Sequence, residues 1–170
     1  MNKYPILILI RGLPGSGKSS ISLELVKRMD GKVIDPDLIS AIRPKSYRNE
    51  RLRKFRLCTK NARSYLNKKL NVIWCQPFRK AQNIELVVNS LGMDYLNSFL
   101  VDIKIPLEVS WIRSRNKFFN DREIFNEFVS KCLPIPPEYK IPTLTLNGED
   151  EVSSNVNKVL AFIGYNTSDE

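Results

Sequence analysis

Residues 12–19 read Gly12-Leu-Pro-Gly-Ser-Gly17-Lys18-Ser19, a spacing that suits the holding of a polyphosphate. Glycines at 12, 15 and 17 let successive backbone N–H groups turn inward around an anion. A helix beginning here adds the positive end of its dipole. In such a cradle Lys18 reaches the β- and γ-phosphates, and the Ser19 hydroxyl ligates Mg²⁺. Gly12, Leu13, Pro14, Gly15, Ser16, Gly17, Lys18, Ser19 and Ser20 are therefore the candidate contacts to ATP. A chance glycine-rich turn is the plain alternative. The second chemical element is the acidic pair of Asp35-Pro36-Asp37. One carboxylate can orient or deprotonate an acceptor hydroxyl, and another can hold a divalent cation. Asp35 before Pro36 is also a good helix start on local grounds alone.

These residues need a frame, and the surrounding pattern supplies one. Tyr4 to Arg11 carries an almost unbroken Leu/Ile run, as in a central parallel strand covered on both faces. Ile21, Leu25 and Met29 then recur at helical spacing, with Gly31 as the expected stop. Short strands are expected over 32–35 and 72–75, and a helical turn or two over 36–43. A long helix is expected over 48–69, with Leu52, Phe55, Cys58, Ala62, Tyr65 and Leu66 as its apolar stripe. Arg53, Arg56, Lys60 and Arg63 fall on a different face, most simply a solvated one. Further helices over 80–91 (ended by Gly92), 107–112, 121–132 and 152–162, with strands over 99–105 and 143–146, complete the alternation. The expectation is an α/β fold: a doubly wound, mostly parallel sheet of about five strands with helices on both faces. It forms one domain over 1–163, followed by a frayed polar tail over 164–170.

Composition excludes several chemistries. The chain has no histidine, so there is no Ser-His-Asp site, no Cys-His site and no HExxH metalloprotease helix. Three well-separated cysteines, Cys58, Cys75 and Cys132, make no CxxC pair and fit a reducing, cytoplasmic setting. No apolar run is long enough to span a membrane, and the short one at the start enters a glycine loop rather than a cleavage site. There is no N/TKxD base-reading motif, and Val72-Ile-Trp-Cys75 runs into Gln76 rather than an acid. A GTPase and an ATPase motor both fit poorly, which leaves a small kinase as the common class.

Charge is concentrated. Residues 43–80 hold 13 basic residues and one acid, giving +12, so the rest of this +9 chain carries −3. A localised basic segment points to an anionic partner.

Taken together, these segments resemble the adenylylsulfate kinases, within the broader group of small P-loop kinases that includes polynucleotide 5′-hydroxyl kinases. The resemblance runs through GLPGSGKSS at 12–20, Asp35-Pro36-Asp37, YRNERLRKFR at 47–56 and QPFRKAQ at 76–82. It continues through VDIKIPLEVSWIRSR at 101–115 and PIPPEYKIP at 134–142. It departs at Pro36, where that family has glycine, and at Ser40, where it has arginine, although Arg43 lies one turn on. The family's lid sequence is replaced by Arg113-Ser-Arg-Asn-Lys-Phe-Phe119.

The resemblance implies ATP and Mg²⁺ as cofactors and phosphoryl transfer to a hydroxyl as the activity. It implies Arg43, Arg51, Pro77, Phe78 and Arg79 as acceptor contacts, with Tyr47 near a stacking position. It also implies a lid around 113–131 carrying Arg113 and Arg115 toward the transferring group. Asp37 is the expected base and Asp35 the expected metal neighbour, though the sequence leaves the two exchangeable. The expected acceptor is a small anionic, nucleotide-like molecule, with adenylyl sulfate nearest by resemblance. A polynucleotide 5′-hydroxyl, bound through 43–80, and a non-catalytic nucleotide- or RNA-binding module stay open, as does a homodimer.

Overall fold

A computed structural model describes residues 4–39 and 47–165, without the side chains of Tyr47 and Arg48. Successive side chains of a strand point to opposite faces. In the opening run Ile6, Ile8 and Ile10 go to one face, Leu7 and Leu9 to the other, and all are buried. A strand apolar on both faces must lie inside a sheet covered on each side. Accordingly β1 (Leu7–Gly12) pairs in parallel with β3 (Asn71–Cys75) on one edge and β4 (Ser98–Lys104) on the other. β2 (Gly31–Ile34) adds to β3 and β5 (Thr143–Asn147) to β4, both in parallel, giving the order β2-β3-β1-β4-β5.

The helices divide between the faces. α1 (Lys18–Arg28) and α6 (Val152–Phe162) cover the isoleucine face with Ile21, Leu25, Val156, Val159 and Leu160. α2 (Tyr47–Asn67) and α3 (Ala81–Leu91) cover the leucine face with Cys58, Ala62, Ile84, Val87 and Val88. α4 (Leu107–Ser114) and α5 (Arg122–Ser130) follow β4. This is the expected doubly wound α/β fold, here with every strand parallel. Crossing from one wing to the other at β1 opens a crevice at the strands' C-terminal ends, where α/β sheets bind ligands.

Gly92 ends α3 as expected: its φ is 67°, and the Met93 N–H reaches back to the Val88 carbonyl, as in a Schellman closure. Gly31 has a different role. α1 stops at Met29, which is already extended, and Gly31 opens β2, where an added Cβ would sit 3.0 Å from the Asn71 carbonyl. The turn between them is too short for a separate stop signal. The apolar stripe of α2 begins at Phe55, because Leu52 is 46% exposed. After β2 there is one short 3-10 turn, Pro36–Leu38; Arg43, expected at the acceptor, lies outside the described residues, as does the end of the tail. Among the described residues no helix is long and apolar enough to cross a membrane.

Core position should separate two variants of similar size. Ile73→Ala, in a strand buried on both faces, is expected to lose about 2–5 kcal/mol in urea unfolding. Leu52→Ala should stay within about 0.5 kcal/mol, as surface substitutions do.

Candidate functional site

The loop after β1 turns through two left-handed glycines, Gly15 at φ 75° and Gly17 at φ 91°. Gly17 is also the N-cap of α1 and offers no side chain to the first amides of the helix. Those donors are left for a ligand, as an anion site requires. The outer side of the loop is fixed by α4. The Ser110 hydroxyl donates to the Pro14 carbonyl at 2.7 Å, a fully buried bond. An added Cβ on Gly15 would meet the Arg113 Cβ at 2.7 Å.

The first residue of α1 points its ammonium back over the loop. Lys18 Nζ donates to the Gly12 carbonyl at 3.0 Å and to the Leu13 carbonyl at 2.9 Å. Two of its three donors are used on the cradle itself. Burial pushes the ammonium below the ordinary lysine range, and the nearby Cys75, Asp37 and Asp35 pull it partly back.

Asp35 sits just beyond β2 and divides its oxygens. Oδ1 accepts the Asp37 N–H at 2.9 Å and caps the 3-10 turn; Oδ2 accepts the Ser19 hydroxyl at 3.5 Å. The capping and ligand readings of Asp35 therefore coexist in one side chain. Burial raises its pKa, and the Asp37 carboxylate adds to the rise. The donor set fits Mg²⁺. A hydroxyl and a carboxylate oxygen converge, and the desolvated carboxylate lacks the compensation that a cation supplies. No cluster of three or more His, Cys, Asp or Glu occurs among the described residues. Mg²⁺ suits so sparse a set, because it keeps waters and takes further oxygens from phosphates.

Lys18, Ser19, Ser20, Asp35 and Asp37 border one cavity of about 380 Å³ with Pro14, Gly15 and Gly17. The rest of its lining is Cys75, Gln76 and Pro77 at the end of β3, and Arg113, Lys117, Phe118, Phe119 and Phe128 from α4, the following turn and α5. Gly12 and Ser16 are buried beneath the loop, and Leu13 contributes its carbonyl to Lys18.

The acceptor residues expected from the resemblance separate. Pro77 lines the cavity. Phe78 does not: its φ is 42°, and its ring, 2% exposed, lies in the leucine-face core. A bulky residue at positive φ costs about 1–3 kcal/mol, which burial of the ring offsets at about 1.5–3 kcal/mol. Arg79 stacks its guanidinium over the Phe128 ring at 5.5 Å, and its carbonyl accepts the Leu133 N–H. It braces the wall from behind. Arg51, in α2, does not border the cavity. Of the two arginines expected in a lid Arg113 does, donating to the Gly148 carbonyl at 3.0 Å, whereas Arg115 is the C-cap of α4 and does not border the cavity.

Sequence reasoning did not single out Cys75, Gln76, Lys117, Phe118, Phe119 or Phe128 as cavity residues. For Gln76 the available signal was its place at the end of a central strand. The aromatic wall gave no local signal. Phe119 packs on Phe125 at 5.4 Å and on Phe128 at 5.5 Å, contacts across a turn that spacing does not reveal.

Asp35→Asn keeps an N-capping side chain and removes a desolvated charge. It is expected to raise the melting temperature of the metal-free protein and to abolish any further rise on adding Mg²⁺ with an ATP analogue. Gly15→Ala, with a Cβ at φ 75° against Arg113, should weaken ATP-analogue binding in a fluorescence titration.

Comparison with known proteins agrees with this geometry. No curated protein sequence matches the chain. A sugar kinase from Janibacter sp. HTCC2649 superposes with a TM-score of 0.73 at 12% identity, covering 96% of this chain and 97% of that one. The Mycobacterium tuberculosis APS kinase in complex with AMPPNP and APS gives 0.70 at 18% identity, covering 95% and 98%. A gluconokinase from Sinorhizobium meliloti 1021 gives 0.69 at 16%, covering 96% and 94%. At these identities the likeness is one of fold. A family model, that of the AAA domain (AAA_33), matches residues 7–127, from β1 through most of α5. The chain belongs to this AAA domain family and has the fold of the small P-loop kinases.

Proposed function

We propose that the protein transfers the γ-phosphate of ATP to a hydroxyl of a small anionic, nucleotide-like acceptor. The observation that carries this reading is that Lys18, on the loop after β1, and the Asp35/Asp37 pair after β2 border a single cavity. The loop amides and Lys18 hold the phosphates. The Asp37 carboxylate, exposed at the cavity rim, orients the acceptor hydroxyl and takes its proton. Ser19 and Asp35 hold Mg²⁺, which when bound neutralises charge on the phosphate oxygens. Arg113 and Lys117 also border the cavity, where a guanidinium and an ammonium stabilise a transferring phosphoryl group.

The cavity volume suits a small molecule, and the faces of Phe118, Phe119 and Phe128 suit an acceptor with an apolar or aromatic part. Adenylyl sulfate is the nearest candidate by resemblance. The segment 113–131 acts as lid of a single domain in this reading. A polynucleotide 5′-hydroxyl is the second reading, favoured by the +12 segment. Free thiols at Cys58 and Cys75, both pushed up to about 11 by burial, suit a cytoplasmic setting.

The test is a screen with labelled ATP over adenylyl sulfate, nucleosides, sugars and 5′-hydroxyl oligonucleotides. Lys18→Ala and Asp37→Ala are each expected to slow transfer to the best acceptor by at least ~100-fold, the scale of general-base contributions. Unchanged transfer in both would refute the assignment, and no transfer to any acceptor would leave a non-catalytic binding module.

A further inference from the structure

Helical spacing sets Arg56, Lys60, Arg63, Ser64 and Asn67 on one face of α2, and Lys68 follows in the turn after it. All six are exposed, and they line a groove of about 620 Å³ that shares no residue with the cavity above. From Arg56 to Lys68 the stripe runs about 18 Å, at about 1.5 Å per residue. The only acid of α2 is Glu50, outside the stripe and paired with Arg53 at 2.9 Å. Among the described residues no carboxylate pairs with Arg56, Lys60, Arg63 or Lys68. Arg63 donates to the Ser90 carbonyl of α3, which fixes its direction without cancelling its charge. Like charges at i,i+4, as Arg56 and Lys60 are, destabilise a helix by about 0.2–0.5 kcal/mol. Nor can the helix rotate to disperse them, because Cys58 and Ala62 hold its other face in the core.

We infer that this face of α2 docks the sugar–phosphate backbone of duplex nucleic acid, by charge and without reading bases. Cations with interleaved hydroxyl and amide donors are the usual set for phosphate contacts. The groove is lined by no apolar or aromatic side chain. A membrane surface would need apolar anchors, and a single strand is normally gripped by stacking on rings. The inference goes beyond the phosphotransfer reading and does not rest on it.

The experiment is fluorescence anisotropy of the full chain with labelled duplexes of about 20 base pairs over about 50–200 mM salt. Four phosphates neutralised give a log–log slope near −3.6, at ~0.9 each. The triple variant Arg56→Gln, Lys60→Gln, Lys68→Gln should reduce that slope by about 2.7 and lower the affinity at low salt at least tenfold. Two duplexes of unrelated sequence should bind alike, and ATP-analogue binding should be unchanged. If the triple variant loses that binding too, Lys60→Gln and Lys68→Gln singly carry the test, each reducing the slope by ~0.9. Equal duplex binding by variant and wild type overturns the inference. So does preference for a single strand of equal length, or for phosphatidylserine vesicles, over the duplex.

Discussion

The C-terminal end of the sheet is organised around one half-buried ammonium. Lys18 rests on the carbonyls of Gly12 and Leu13, at the point where a strand buried on both faces ends and a helix begins. Taking a charge out of water is costly unless it is paired and hydrogen-bonded. Here the loop carbonyls provide the hydrogen bonds, and the pairing charge is supplied only at a distance, by Asp35 and Asp37. A polyphosphate would complete it. For the ammonium to stay aimed, the loop must not relax around it, which explains the bracing from α4 by the Ser110–Pro14 bond and from Arg113 to Gly148.

The same end carries a second charge arrangement with a structural role. Arg11 of β1 and Asp102 of β4 are both buried and face each other at 3.4 Å, with Lys104 on the other Asp102 oxygen at 2.8 Å. Arg11 also donates to the Leu133 carbonyl at 3.0 Å, and Leu133 in turn donates to the Arg79 carbonyl. The end of β1, the end of β4, the Pro77–Arg79 turn and the segment after α5 are thus tied together beneath the cavity. A buried ion pair adds little net stability. Its effect here is positional: it sets the strand ends from which the loop and α4 depart. The two carboxylates at the cavity are handled differently. Burial raises Asp35 and the neighbouring Asp37 carboxylate adds to the rise, an imbalance that a divalent cation would relieve.

The phosphate loop and the sheet were legible because both are written locally. Glycine spacing encodes the loop, an unbroken Leu/Ile run encodes a strand buried on both faces, and Gly92 encodes a helix end. The second carboxylate edge was legible for the same reason, since Asp35-Pro36-Asp37 follows a strand directly. What stayed hidden depends on backbone conformation or on contacts distant in sequence. The resemblance implies all three of Pro77, Phe78 and Arg79 as acceptor contacts, but one positive φ at Phe78 sends its ring into the core, and of the three only Pro77 borders the cavity. Arg113 and Arg115 look equivalent, yet α4 ends between them, so one faces the loop and the other does not. The wall of Phe118, Phe119 and Phe128 is assembled across the turn between α4 and α5, where no periodicity operates.

Charge shows the same division between local and assembled. The +12 segment reads as one feature, but α2 divides it: Lys54 lies near enough to the inner-face Cys58 to oppose the rise of its thiol, while Arg56, Lys60 and Arg63 are exposed on the outer face. The inner face, through Cys58, lies close enough to Asp35 and Asp37 for both to raise the thiol further. The outer face carries the cationic stripe. A helix with its side chains is about 10 Å across, and the Debye length in physiological salt is about 8 Å. The stripe's field is therefore largely spent, on the solvent side, before it reaches the carboxylates. α2 thus keeps two charged regions apart: an outer stripe whose groove holds no carboxylate, and a cavity whose lining mixes Lys18, Arg113 and Lys117 with Asp35 and Asp37.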